Sequence, residues 1–474
     1  MQRITFALLP VIGAALFLAG CATLAPPSAR PESPVAAVWP GPAAVAPADA
    51  GTAATIAWQD FFRDPQLRAV IAQALVNNRD LRLALLAIER AQAEYQIRRA
   101  DLLPALDGSA AGSVQRLPAD LSASGDGQIV RQYSVGLGLS SYELDLFGRV
   151  RSLREQALAE YLATSEARRS VEISLVASVA RGYLNLAADR ERLQLARETL
   201  ENQQASYRLI ESRFQAGVAS ALDLNQARTS LEAARVDIAR YTTLVAQDEN
   251  GLDLLVGARV AAPLLPATLS ADPAPFRPLD PGLPSEVLLA RPDIRAAEHR
   301  LQGANANIGA ARAAFFPRIE LVSSLGTGSD QLSGLFGAGS LAWSFAPRLT
   351  LPIFDAGANR ANLAVAQVDR QLAVTHYEQA IQVAFREVAD ALAEGATIAE
   401  QAAAQQALTA ASGESYRLSQ ARYARGIDSY LNVLDAHRAL YSARQNLIGV
   451  RLALLANQVT LYQVLGGGSA SAPL

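Results

Sequence analysis

The sequence predicts a mostly helical chain of long antiparallel α-hairpins with four short alternating strands, and three observations support that class. First, two stretches are rough copies of each other, YRLIESRFQAGVASALDLNQAR from Tyr207 and YRLSQARYARGIDSYLNVLDAHR from Tyr416. They match Arg213 with Arg422, Phe214 with Tyr423, Gly217 with Gly426 and Leu222 with Leu431 at a spacing of 209. Each sets a long helical pattern, a glycine and a second helical pattern, so Gly217 and Gly426 mark the tips of two hairpins. Second, apolar residues step by seven through Val179, Leu186, Leu193, Leu200, Tyr207 and Phe214, then through Leu224, Leu231, Ile238, Val245 and Leu252. The second copy steps through Val433, Leu440, Leu447, Leu454 and Leu461. Sustained stripes of this kind are the pattern of long helices packed as coiled coils. Third, strand-like segments alternate by two. Tyr133, Val135, Leu137 and Leu139 face one way, and Ser134, Gly136, Gly138 and Ser140 the other.

The tandem repeat organises the 474 residues more firmly than a length prior does. The expected divisions are a signal peptide over 1–20, a Pro/Ala-rich tether over 21–60 and a first repeat over 61–258. A Pro-rich crossover over 259–283, a second repeat over 284–466 and a flexible tail over 467–474 follow. In the first repeat an opening helix over 65–103 ends at Pro104, where proline blocks continuation. Strands are expected over 106–117 and 131–142, then a helix over 150–214, about 100 Å long at about 1.5 Å per residue. The second repeat replays the order. A helix over 285–315 stops at Pro317, strands cover 318–326 and 341–351, a helix covers 356–424, and its return runs from Asp428, the expected N-cap, to Leu465.

Composition excludes most site chemistry. All 42 basic residues are Arg, only His299, His376 and His437 carry imidazoles, and Cys21 is the single cysteine. Lysine nucleophiles, P-loops and Cys/His zinc sites are thereby absent, and a net charge of −3 gives no field for nucleic acid. Cys21 follows an apolar run and Leu18-Ala19-Gly20, the pattern of a secretory signal. The choice at this point is a lipidated cysteine or an ordinary cleavage site with an incidental thiol.

Each strand segment is about ten residues, the length that crosses a bilayer core when tilted. Four strands cannot close a barrel, since the smallest membrane barrels need about eight, so several chains would have to contribute. Two amphipathic hairpins on a soluble core are the alternative, although the long helices are already committed to one another.

The segment Arg291-Pro-Asp-Ile-Arg-Ala-Ala-Glu298 with Ala304-Asn-Ala-Asn-Ile-Gly-Ala-Ala-Arg-Ala-Ala-Phe-Phe-Pro317 resembles the outer-membrane efflux proteins of the TolC superfamily, OprM/NodT-type lipoprotein branch. Asp80-Leu-Arg-Leu-Ala84 and Asp101-Leu-Leu-Pro104 echo it in the first half. The resemblance covers nearly all of the mature chain. It implies a lipid-anchored homotrimer in the outer membrane, four strands per chain closing one β-barrel above a periplasmic α-barrel. A periplasmic adaptor and an inner-membrane pump of the resistance-nodulation-division (RND) type would be the partners. The chain would do no chemistry and bind no cofactor beyond covalent lipid on Cys21, with Ala22 favouring outer-membrane sorting. Transport of drugs or solvents leads. The same tube serving a metal exporter or peptide secretion system, and a pore-free bridging lipoprotein, stay open.

The resemblance also assigns residues. Leu431 and Asp435, with Arg438 beside them, fall where relatives narrow the periplasmic end. Asp435 has a plainer explanation as an i,i+3 ion pair with Arg438. Asp223 and Tyr423 fall where relatives latch the two hairpins together, and Asp428 stands where a basic latch residue is found. A capping box with Ser220 explains Asp223 equally well. The three His are expected to pack between helices or lie at the surface.

Overall fold

The computed structural model describes residues 23–27, 29–40, 51–122, 125–270, 272, 275–282 and 284–469. Cys21 and the signal peptide lie outside them. In chain order the elements are β1 (Gly51–Thr52), α1 (Trp58–Phe61), α2 (Pro65–Asn77), α3 (Arg79–Ala100), β2 (Leu106–Leu117), β3 (Gln128–Glu143), α4 (Arg149–Gln215) and α5 (Ala221–Val256). There follow β4 (Leu279–Asp280), α6 (Pro284–Ala290), α7 (Pro292–Ala313), β5 (Arg318–Ser329), β6 (Leu341–Phe345), β7 (Arg348–Thr350), α8 (Ala358–Ala424) and α9 (Tyr430–Val464). Both α4 and α8 are continuous over 67 residues. Contacts divide the chain into two units that cut across both repeats.

The first unit, 1–31, 87–165 and 296–377, holds one antiparallel sheet in the order β2-β3-β5-β6, with β7 also on β5. Leu137 lies opposite Gly108 and Leu325, and Leu325 opposite Trp343, so one face gathers Val135, Leu137, Leu325, Leu341, Trp343 and Phe345, all exposed. On the other face Gly136 pairs with Gly326, where a Cβ would collide with the Val135 carbonyl. The fourth expected strand is two strands. Pro347 has no N–H for the ladder, which resumes at Arg348 after Ala346 N–H bonds the Val322 carbonyl at 2.8 Å. The tether is seated rather than free in this unit. Thr23 meets Ser152, Arg312 donates to the Leu24 carbonyl, and Arg30 is bidentate on Glu298. Gly309 leaves the room that Ala25 occupies.

The second unit, 32–86, 166–295 and 378–474, is built on the four hairpin helices. Its core stacks Phe61 on Tyr462 with ring centroids 4.2 Å apart and on Phe276 at 5.3 Å. Tyr462 donates its hydroxyl to the Ile56 carbonyl at 2.8 Å. On α9 the buried stripe runs from Val433 through Leu440, then slips one place to Ile448, Leu455 and Tyr462. A helix of about 3.6 residues per turn drifts against a strict repeat of seven in this way. Gly466 and Gly467 are buried, and Gly468 N–H bonds the Ala53 carbonyl, so the expected loose tail is packed as far as Ser469.

Both opening helices are broken where one helix was expected, and at equivalent places. Asn78 separates α2 from α3, and Arg291, 213 residues on, separates α6 from α7. Asn78 Oδ1 caps Leu81 N–H, while its amide nitrogen donates to the Leu255 carbonyl at 2.8 Å. Arg291 donates to the Val464 carbonyl at 2.7 Å and to Asp293 and Glu387. Each break thus places a buried polar side chain on the last carbonyls of its own repeat's returning helix. Pro292 supplies the local cause in the second repeat, since the residue before proline avoids helical angles.

Candidate functional site

The two tips are built alike. After α4 the Val218 N–H bonds the Arg213 carbonyl and the Gly217 N–H bonds that of Phe214, with Gly217 at φ 72°. After α8 the Ile427 and Gly426 N–H groups bond the Arg422 and Tyr423 carbonyls, with Gly426 also at φ 72°. Both are Schellman closures, which need a left-handed residue and therefore glycine. Ile210, Ala227, Tyr430, Val433 and Leu434 form a shared apolar cluster, with Tyr207, Leu224, Tyr416 and Tyr423 against it.

The entries to the returning helices differ. Ser220 and Asp223 form a reciprocal capping box, the Asp223 N–H bonding Ser220 Oγ at 3.1 Å and Asp223 Oδ2 accepting from the Ser220 N–H at 3.1 Å. Asp428 is not the cap of α9. That position is Ser429, and Asp428 grips Arg422 at 2.5 and 3.0 Å. The guanidinium holds the Asp428 carboxyl below its ordinary range.

At the tips Tyr423 joins the two hairpins. Its hydroxyl accepts from Arg213 Nη1 at 2.7 Å, and the guanidinium lies 5.1 Å over its ring. The partner is Arg213 and not Asp223, whose carboxylate is engaged in its capping box. Arg213 was absent from the residues expected here, although aligning the copies contains the signal. Ala219 stands where the second copy has Asp428, so Arg213 lacks the intrahairpin acid that holds Arg422. Higher up, the amide nitrogen of buried Gln203 on α4 lies 3.0 Å from His437 Nδ1 on α9, and the Tyr416 ring of α8 meets the imidazole edge-on at 5.2 Å. Burial, then Arg444 and Arg438, lower the His437 pKa. Burial, then Tyr423, Tyr416 and Asp223, push Tyr430 up to about 12. Tyr441 donates to Asp237 at 2.8 Å, tying α9 to α5.

Leu431, Asp435 and Arg438 lie on the first turns of α9 with Leu431 43% exposed. Asp435 and Arg438 form an ion pair at 3.5 Å with both side chains more than half exposed, so within one chain the i,i+3 explanation holds for them. The first copy has Gln226 and Thr229 at the equivalent places. Among the described residues no group of three His, Cys, Asp or Glu is placed to hold a metal ion.

A family model described as outer membrane efflux protein matches residues 70–258 and 283–467, both repeats with their tips. The chain belongs to the outer membrane efflux protein family. Among relatives, the toluene efflux pump outer membrane protein TtgC of Pseudomonas putida is 49% identical over 98% of this chain and 96% of its own length. A membrane protein from Pseudomonas aeruginosa superposes with a TM-score of 0.90 at 45% identity, covering 95% of this chain and 99% of the other. The open-state MtrE outer membrane channel of Neisseria gonorrhoeae gives 0.85 at 40% identity over 94% and 98%. The mostly helical fold is therefore that of the outer-membrane efflux channels.

Proposed function

We propose that three copies of this chain form a lipid-anchored tube through the outer membrane. The tube conducts substrates delivered by an RND-type inner-membrane pump through a periplasmic adaptor. The observation that carries the reading is the sheet of β2, β3, β5, β6 and β7. Its apolar side chains are exposed on one face, and β2 at one edge and β6 with β7 at the other have no further partner among the described residues. Backbone groups in a bilayer must be paired, so such a sheet is stable there only when neighbouring copies close it. Acyl chains on Cys21 hold the chain to the membrane. The cargo is organic molecules of the solvent or drug class, in keeping with the toluene efflux role in the name of TtgC.

Leu431 and Asp435 form the periplasmic constriction. Symmetry turns one leucine into an apolar collar and one carboxylate into a ring that favours cations, with Arg438 trimming the field. The chain performs no catalysis, and the pump supplies the energy. Purified protein in planar bilayers should give discrete single-channel steps, and a lipoprotein without conductance would overturn the assignment. Palmitate labelling lost in Cys21→Ser tests the anchor separately.

A further inference from the structure

The arginines of the sheet divide between its two ends. Arg318 and Arg348 lie at the end next to α3 and α4, where Arg318 pairs with Glu143 and Glu320. Arg116 of β2 and Arg131 of β3 lie at the far end, and both are exposed. Neither guanidinium has a hydrogen bond or ion pair among the described residues. Asp120 and Asp126, in the connection between these strands, pair with neither.

Register puts both arginines on the apolar face. Along β3 the residues Leu137, Val135, Tyr133, Arg131 and Ile129 follow at steps of two, with Val114 opposite Arg131 and Arg116 opposite Ile129. Alternation keeps all of them on the side that carries Leu325 and Trp343. Arg116 and Arg131 are thus diagonal neighbours, about 7 Å apart at Cα. Val114 and Ile129, 60% and 61% exposed, complete the patch. On this face the rows from Leu139 to Tyr133 carry no charged residue.

Tyr133 marks the level at which the charges begin. Its ring lies across Gly112, 3.2 Å from where a Cβ would stand, and β5 ends beside it at Ser329. From Ile319 to Ser329 is about 34 Å along β5 at about 3.4 Å per residue, or roughly 25 Å in height at a barrel tilt of roughly 40°. That is the height of an outer-membrane apolar band, at whose border aromatic residues collect. Arg131 and Arg116 stand two and four residues beyond that row, at the depth of lipid headgroups.

We propose that Arg116 and Arg131 bind the phosphate of an anionic lipid in the leaflet farther from the helices. Two like charges held this close repel, and a phosphate between them removes that cost. Guanidinium forks match phosphate oxygens in pairs, while Val114 and Ile129 meet the apolar part of the same lipid. The inference rests on the membrane-spanning reading of the sheet given above and adds a lipid class to it.

The test uses the full lipidated chain in two measurements. In vesicles of phosphatidylcholine brominated on its acyl chains, Trp343 fluorescence should be quenched, with Trp343→Phe giving its share of the signal. Native mass spectrometry in neutral detergent should show phosphatidic acid retained over phosphatidylcholine by about thirtyfold in the wild type. Arg116→Gln and Arg131→Gln should each lower that preference about fivefold, and the double variant should abolish it while Trp343 stays quenched. Quenching with the same preference in wild type and double variant would overturn the lipid site and leave the spanning sheet standing. Displacement of phosphatidic acid by millimolar inorganic phosphate would make this a free-anion site and would also overturn it. Absence of quenching would overturn the spanning reading and the site with it.

Discussion

The guanidinium of Arg213 donates to the Tyr423 hydroxyl at 2.7 Å and covers its ring at 5.1 Å, and this pair exists because two duplicated hairpins diverged at neighbouring positions. Arg422, the copy of Arg213, is held by Asp428, whereas Ala219 leaves Arg213 free to reach across. Phe214, the copy of Tyr423, has no hydroxyl to return the bond. One link results, and it ties unlike hairpins.

Arg213→Ala should therefore loosen the resting tip. A hydrogen bond to a charged donor contributes about 1.5 kcal/mol or more, enough for roughly a tenfold change in open fraction. Tyr423→Phe keeps the stacked ring and should have a smaller effect. Resting conductance in planar bilayers ranks the two, and equal conductance in wild type and Arg213→Ala would remove the latch.

Leu431→Ala with Asp435→Ala should widen the resting pore and weaken its preference for cations. Conductance and reversal potential in asymmetric salt measure both. The same changes at Leu222 and Gln226 in the first copy should leave cation preference as it was, since no carboxylate is lost there.

His437 should make the tip sensitive to acid. Its folded pKa lies below the ordinary value of 6.5, so the unfolded chain takes up a proton first as pH falls. The stability that neutral His437 contributes is present above pH 6.5 and is lost as pH falls through the folded pKa. The charge arriving between α4 and α8 faces Arg438 and Arg444, with Gln203 and Tyr416 also against the ring. Protease susceptibility of the tips should rise below that pH in wild type and rise less in His437→Gln.

Arg291 should be needed for stability although it lies in no gate. Its removal strands Asp293, Glu387 and the Val464 carbonyl together, and Arg291→Ala should cost about 3 kcal/mol. Arg291→Lys retains the charge without the fork and should fall between. Thermal unfolding of the solubilised protein gives the order.

Much of the fold was legible because its determinants are local. Glycine at a left-handed turn, proline at a helix end, steps of seven and alternation by two each act within a few residues. They placed both tips, both long helices and the strands. The helix breaks were harder to see. Pro292 is a local signal for the break in the second repeat, whereas Asn78 breaks its helix through partners that include a carbonyl 177 residues away.

The sequence by itself determined that this chain is a duplication of long hairpins with alternating strands and a single lipidation candidate. Repetition and composition carry that information without coordinates. Only the tertiary structure decided which acid Arg422 holds, that Arg213 and not Asp223 meets Tyr423, and that Asn78 and Arg291 tie down the ends of the returning helices. The reason is distance along the chain. These bonds join residues six, 210, 177 and 173 positions apart, and apart from the six-residue pair no local pattern records which side chains the packed hairpins bring together.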